Sequence, residues 1–154
     1  MTPEASVPRL DDTDKAIIRN LQEDGRMTYA TLGPKVGLSP AGARQRVLQL
    51  INSGVMQIVA VTDPIKLGFP IQAMVGLRVS GDLDLVASAI SGFGEVSYVV
   101  YTTGRFELLV EIVGESMEHF LGLLNKMRVI PGVEGTETFT YLRLEKQAYN
   151  WGAV

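Results

Sequence analysis

The chain has 154 residues, of which 46% are hydrophobic and 20% charged; that balance belongs to globular protein and excludes a disordered chain, and the length admits one ordinary domain or two small ones. With no cysteine and a single histidine, His119, it excludes disulfides, thiolate zinc sites, cysteine nucleophiles and histidine-rich metal sites. The net charge is −3 and Met1-Thr2-Pro3-Glu4 lacks the basic start and apolar core of a signal peptide; no stretch approaches the ~20 consecutive apolar residues that cross a bilayer, so a cytoplasmic protein without membrane contact is expected.

Residues 1–9 are polar, contain Pro3 and Pro8, and are expected to be a disordered tail. Asp11 or Asp12 can cap a first helix over about 12–24, with Leu10 as a staple and Ile17, Ile18 and Leu21 at helical spacing. Gly25 suits a left-handed stop. Thr28 can cap a second helix over about 28–36, patterned on Tyr29, Leu32 and Val36. Pro34 inside it removes a hydrogen bond, at a cost of about 3 kcal/mol, so this helix is either short and kinked or restarted at Gly33-Pro34. Gly37-Leu38-Ser39-Pro40 then turns the chain into a third helix, with Ser39 as N-cap and Pro40 at the first helical position, where its missing N–H does no harm. Ala43, Val47, Leu50 and Ile51 form its apolar stripe; Gly42, Arg44, Gln45, Arg46 and Gln49 lie largely on its other faces, and Gly54 ends it. Residues 55–61 read as a strand, broken by Asp63-Pro64, and 65–68 as a short helical connector.

The period then changes from that of a helix to that of a strand. Ile71, Ala73, Val75, Leu77 and Val79 alternate with Gln72, Met74, Gly76, Arg78 and Ser80. A helix over 83–91 comes next, then a strand over 96–102, the turn Thr103-Gly104-Arg105, and a strand over about 106–113. A helix over 117–127 carries Phe120, Leu121 and Leu124, and after Ile130-Pro131-Gly132 a long strand covers 135–144. The order β-α-β-β-α-β predicts a ferredoxin-like domain, an antiparallel sheet with both helices on one face. The expected fold class is α+β: a helix-turn-helix domain at 10–54, a strand and linker at 55–69, a ferredoxin-like domain at 70–147 and a tail at 148–154. Val75 or Met74, Val99 or Val100, Leu109 and Val113 cannot all point at the helices, because alternate residues face opposite ways. The open sheet face is therefore expected to be covered by an identical sheet.

Residues 28–52 contain what a helix-turn-helix needs: a short turn, an apolar stripe under the third helix and polar or basic residues outside it. Between Asp24 and Asp63 there is no acidic residue, while Arg26, Lys35, Arg44 and Arg46 fall in the gap, and local charge decides whether a surface can neutralise phosphates. The expected partner is double-stranded DNA, with Arg44 and Gln45 reaching base edges and Arg46 and Lys35 pairing with phosphate. Thr28 and the start of the third helix, Ser39, Pro40, Ala41 and Gly42, complete the expected contact surface, its backbone N–H groups being suited to a phosphate.

Taken in order, these residues resemble the Lrp/AsnC family of regulators. The resemblance rests on Leu10-Asp11-x-x-Asp14 with Ile17 and Leu21; on Gly37-Leu38-Ser39 leading to Arg46-Val47-x-x-Leu50-x-x-x-Gly54-Val55; on Asp63-Pro64-x-x-Leu67-Gly68; on Thr103-Gly104-x-x-Glu107; and on Pro131-Gly132-Val133, covering about residues 10–145. It implies a winged or plain helix-turn-helix and dimers formed through the C-terminal sheets that assemble into tetramers or octamers. It also implies a small effector, often an amino acid, in clefts between dimers. No cofactor, metal or catalytic residue is implied. Glu107 stands where the family usually has Asp, and Arg105 where it often has a smaller residue; Arg105 could meet an effector carboxylate and Glu107 its amine. The effector site is expected around Tyr101, Thr103, Gly104, Arg105, Phe106 and Glu107, with Thr136 and Thr138 of the last strand.

Two other functions compete. A ligand-independent architectural protein shares every DNA-binding feature. An enzyme built on the ferredoxin-like domain would need a paired acid and base, and the domain offers one histidine and scattered glutamates. His119 is expected at a surface or interface, Trp151 as a packing anchor, and Gly92-x-Gly94 and Gly152 are not phosphate loops, since no Lys-Ser/Thr comes after them.

Overall fold

The computed structural model describes residues 9–148; the expectations for the N-terminal tail, for Trp151 and for Gly152 fall outside the described residues, save Arg9. The described residues form two compact units, one built on residues 9–60 together with 146–148, the other on Val61–Glu145.

The first unit is three helices. α1 (Asp12–Glu23) opens with a capping box in which the Asp14 N–H donates to Asp11 Oδ1 at 2.8 Å and the Asp11 N–H to Asp14 Oδ2 at 3.2 Å, satisfying two N–H groups that have no partner within the helix. Its end differs from expectation: Gly25 is not left-handed. The turn is made instead by Asp24, whose backbone is extended and whose carboxylate accepts from the Arg26 N–H at 2.9 Å.

α2 (Tyr29–Lys35) is a single short helix capped by Thr28, with no restart at Gly33-Pro34. Pro34 lies in its last turn, and its missing N–H withholds the single bond that would run back to the Ala30 carbonyl. Gly33 has its own reason: a Cβ there would stand 2.8 Å from the Leu38 carbonyl oxygen. The turn into α3 (Pro40–Asn52) closes directly over it, and the Leu38 N–H donates to the Gly33 carbonyl at 2.8 Å. Ser39 Oγ accepts from the Gly42 N–H at 3.1 Å and Pro40 occupies the first turn. Ile17, Leu21, Leu32, Ala43, Val47 and Leu50 form the core between the helices; each large side chain so buried contributes roughly 1.5–3 kcal/mol.

One polar contact crosses this core. Asp14 is 6% exposed, the one buried charged side chain among the described residues. Arg46 on α3 donates from Nη1 to Asp14 Oδ1 at 3.0 Å and from Nη2 to Asp11 Oδ2 at 2.7 Å. A buried carboxylate without a partner is strongly unfavourable, so Arg46 both neutralises α1's cap and ties α3 to it.

No strand forms at 55–61. The Val55 and Met56 N–H groups close back on the Leu50 carbonyl at 3.0 and 3.2 Å, and no described strand pairs with the segment, so its β-prone residues have no ladder to join.

The second unit runs through a 3₁₀ turn (Ile65–Leu67), β1 (Ile71–Val79), α4 (Leu83–Ser91), β2 (Val96–Tyr101), β3 (Leu108–Gly114), α5 (Met117–Arg128) and β4 (Val133–Thr140). The sheet order is β2-β3-β1-β4 with every neighbouring pair antiparallel, the ferredoxin-like topology. β3 starts two residues later than expected, because residues 102–107 are taken up by the turn: the Thr102 N–H donates to the Glu107 carbonyl at 3.0 Å. β4 starts earlier and ends at Thr140, not 144, because its partner β1 begins at Ile71; only the Tyr141 N–H reaches further, to Gln72.

Ala73, Val75 and Leu77 of β1 and Leu108, Val110 and Ile112 of β3 are fully buried against α4 and α5. Register then sends Met74, Leu109, Val113 and Val100 to the open face, with Phe139 opposite Met74. Gly76 of β1 lies on this face too. A Cβ there would stand 2.5 Å from the Phe106 ring, so the glycine lets the ring lie flat on the sheet.

This packing has two testable outcomes. Gly76→Ala should destabilise the protein by about 1–3 kcal/mol, the usual range for overpacking; denaturant unfolding measures it, and Phe106→Ala in the same chain should recover part of the loss. The second concerns acid. The Asp11 carboxyl is held below its usual 3.8, first by the Asp14 N–H and then by Arg46. A carboxyl lowered on folding contributes stability that is complete above its unfolded value and lost as pH falls through its folded value. The first unit should therefore lose this contribution only below about pH 4. Arg46→Gln should lower the melting temperature at pH 7, by leaving Asp14 uncompensated, and should shrink the acid-side loss. Melts monitored by circular dichroism from pH 2 to 7 check both, and an unchanged midpoint at pH 7 would contradict the strut.

Candidate DNA-binding helix and effector site

α3 presents Ala41, Arg44, Gln45, Leu48, Gln49 and Asn52 to solvent, spaced by three and one in turn, which is a single stripe along a helix. Arg44, Gln45 and Lys35 are exposed, and among the described residues no ion pair occupies Arg44 or Lys35. Pro40, Ala41 and Gly42 form the first turn with little bulk, and Ser39 stands exposed at its start. The Thr28 hydroxyl accepts from the Thr31 N–H at 3.2 Å as α2's cap. Arg46 does not join this surface as expected: both of its terminal nitrogens are committed to Asp11 and Asp14. The sequence signal for that pairing was present in the acids of Leu10-Asp11-x-x-Asp14, but nothing in the spacing ties residue 46 to them.

The expected effector residues fall on two faces of one sheet. Thr136 and Thr138 pair with Leu77 and Val75 in the register that faces the helices, and Thr136 Oγ1 accepts from Arg128 Nε on α5 at 2.9 Å. Tyr101 pairs with Leu108 on the same side, and its hydroxyl donates to Asp84 of α4 at 2.6 Å, which raises the phenol's pKa above its usual value. Thr103 and Gly104 are exposed at the turn. Arg105 and Phe106 lie with the other face: the Arg105 guanidinium sits 5.5 Å from the Phe106 ring centroid and pairs with Glu137 at 3.0 Å.

Glu107 has a different task from the one expected. Its Oε2 accepts from the Val79 N–H at 2.8 Å, where the register of β1 with β4 shifts between Arg78 and Val79. The pairing of β1 with β3 stops at Leu77, whose carbonyl accepts from the Glu107 N–H; the Val79 N–H points to that same side past the end of β3, and the carboxylate supplies its partner. Sequence reasoning missed Glu137 and Phe139 because the face each takes depends on register, which the run of alternating residues does not reveal. It also missed a partner for His119, whose Nε2 lies 2.9 Å from Glu95 Oε1. The Glu95 carboxyl is lowered by its own backbone N–H and then by that contact.

Comparison with known proteins agrees with this architecture. Residues 10–51 match an AsnC-type helix-turn-helix domain and residues 72–151 an Lrp/AsnC ligand binding domain. The HTH-type transcriptional regulator FL11 of Pyrococcus horikoshii is 34% identical over 140 residues, 90% of this chain and 93% of that protein. The transcriptional regulator AzlB of Bacillus subtilis is 28% identical over 144 residues, 90% of this chain and 92% of that one. Among solved structures, the transcriptional regulator NMB0573 of Neisseria meningitidis in complex with L-Met superposes with a TM-score of 0.83 at 26% identity, covering 94% of this chain and 97% of its own. E. coli AsnC shares the fold with a TM-score of 0.81 at 23% identity, over 92% and 98% of the two chains. Among the described residues no helix is long and apolar enough to cross a membrane. With both domains matched in the same order, and with relatives that regulate transcription, the chain belongs to the Lrp/AsnC family: it is a transcriptional regulator carrying a helix-turn-helix and a ligand-binding domain, and not an enzyme.

Proposed function

We propose that this regulator recognises specific DNA sequences through α3 and responds in the cytoplasm to a free amino acid through its C-terminal domain. The observation that carries the DNA reading is the exposed stripe on α3, with Arg44 and Gln45 one turn from its start and Arg44 outside every ion pair among the described residues. A helix so decorated fits the major groove, where arginine and glutamine pair with guanine and adenine edges. Lys35, Thr28 and the Ser39–Gly42 turn meet phosphates, and Arg46 serves them by fixing α3 against α1.

Two copies join through the open sheet face, where Met74, Val100, Leu109, Val113 and Phe139 offer apolar surface on the side away from the helices. Such dimers place two recognition helices in successive major grooves and assemble further into tetramers or octamers. The L-Met complex of the Neisseria relative supports an amino acid as the effector. Because Thr136 and Thr138 lie on the helix side and Arg105 and Phe106 on the open side, an effector site using both sets draws them from different copies. Binding there changes the assembly and, with it, the DNA sites gripped together.

Fluorescence anisotropy with the upstream DNA of the regulator's own gene and with scrambled duplex tests the first half. Arg44→Ala should weaken specific binding by about 1–3 kcal/mol and relax base preference, while Lys35→Ala should weaken both duplexes alike and lower the salt slope by about one. Binding that ignores sequence, salt-dependent but unaffected by any amino acid, would favour a ligand-independent architectural protein. Mass photometry tests the second half: Leu109→Arg should convert the assembly to monomers at nanomolar concentration, and an unchanged oligomer would exclude the open face as the interface.

A further inference from the structure

One side chain on α3 belongs neither to the core nor to the polar contacts of the outer surface, and its assignment rests on the reading that α3 enters a major groove. Leu48 is 37% exposed, and among the described residues it is the one large apolar side chain that α1, α2 and α3 leave exposed. A helix turns about 100° per residue, which places Leu48 between Arg44 and Gln45 in angular order and away from Ala43, Val47 and Leu50, the residues that α3 buries. A leucine therefore stands near the middle of a stripe whose larger members, Arg44, Gln45, Gln49 and Asn52, are otherwise polar.

The charge around it says what lies against it. Residues 25–62 contain no acid and carry Arg26, Lys35, Arg44 and Arg46, so this surface suits a polyanion. To an apolar protein partner it offers a single side chain, far less than such a contact buries. The base edges in the major groove are polar with one exception, the C5 methyl of thymine. Adenine, guanine and cytosine would each set a donor or an acceptor against the leucine and leave it unpaired. A thymine methyl lets Leu48 shed water without stranding a polar group, while Arg44 and Gln45 on either side of it keep their reach to the neighbouring pairs.

We propose that Leu48 is a specificity-determining residue of this regulator: it reads the C5 methyl of a thymine in each operator half-site, beside the base pairs that Arg44 and Gln45 contact. A methyl reader ignores the rest of the base, so 5-methylcytosine at the same place satisfies it as well.

The test uses the full chain and a duplex it selects from a random library, with the thymines of that duplex replaced one at a time by uracil, which removes the methyl alone. Fluorescence anisotropy should find a thymine in each half-site whose replacement weakens binding about fourfold, the worth of one buried methyl group. Exchanging that T·A pair for C·G should weaken binding, and methylating the new cytosine at C5 should return about fourfold. Leu48→Ala should bind the thymine and uracil duplexes alike while keeping the guanine preference that Arg44 confers, and Leu48→Met should keep the discrimination. The uracil scan on wild type needs no variant to fold: if no thymine is sensitive, or if uracil costs wild type and Leu48→Ala the same at every position, the Leu48 assignment is wrong, and loss of specific binding in Arg44→Ala then leaves the major-groove reading standing. If the library yields no preferred sequence, or Arg44→Ala binds it as wild type does, the major-groove reading fails and this assignment with it.

Discussion

A strand has two faces, and in the C-terminal domain both central strands give one of them wholly to the helices. Ala73, Val75 and Leu77, with Leu108, Val110 and Ile112, are fully buried beneath α4 and α5. Pleating then leaves no choice for their neighbours: Met74, Leu109 and Val113 must face away. The same parity separates Thr136 and Thr138 from Glu137 and Phe139 on β4. A one-residue slip would exchange these sets, so the register that closes the core also decides which residues can meet a ligand from which side.

The N-terminal domain solves a different problem, how to hold a short helix at a fixed angle with a small core. Six buried apolar residues supply the attraction, and the Arg46 bridge to Asp11 and Asp14 supplies direction. Its value lies in geometry more than in energy: a guanidinium donating to two carboxylates restricts how α3 can rotate about its own axis. That rotation determines whether Arg44 and Gln45 point outward. Arg44 and Arg46, near neighbours on one helix, thus divide the labour, the second turned inward to orient the helix and the first left to solvent.

Two glycines show the same economy of space. Gly33 admits the Leu38 carbonyl and so sets the tightness of the turn before α3; Gly76 admits the Phe106 ring and so sets the relief of the open face. Neither has a left-handed backbone. What each position demands is the absence of a Cβ, a requirement that arises only once distant residues have been brought close.

Local chemistry in the sequence determined much of this protein. The caps at Thr28, Ser39 and Asp11, the proline at the start of α3, and the change from helical to alternating apolar spacing are interactions within a few residues, and they specified the helix-turn-helix and the β-α-β-β-α-β order. Strand ends and the unformed strand at 55–61 were beyond that reach, because a strand exists only where a partner runs beside it. The roles of Arg46, Glu107 and Glu137 were decided by tertiary structure alone. Arg46 found its carboxylates 32 and 35 residues away and Glu107 its N–H 28 residues away, and contacts at such separations depend on how the elements pack, which no local pattern of residues encodes.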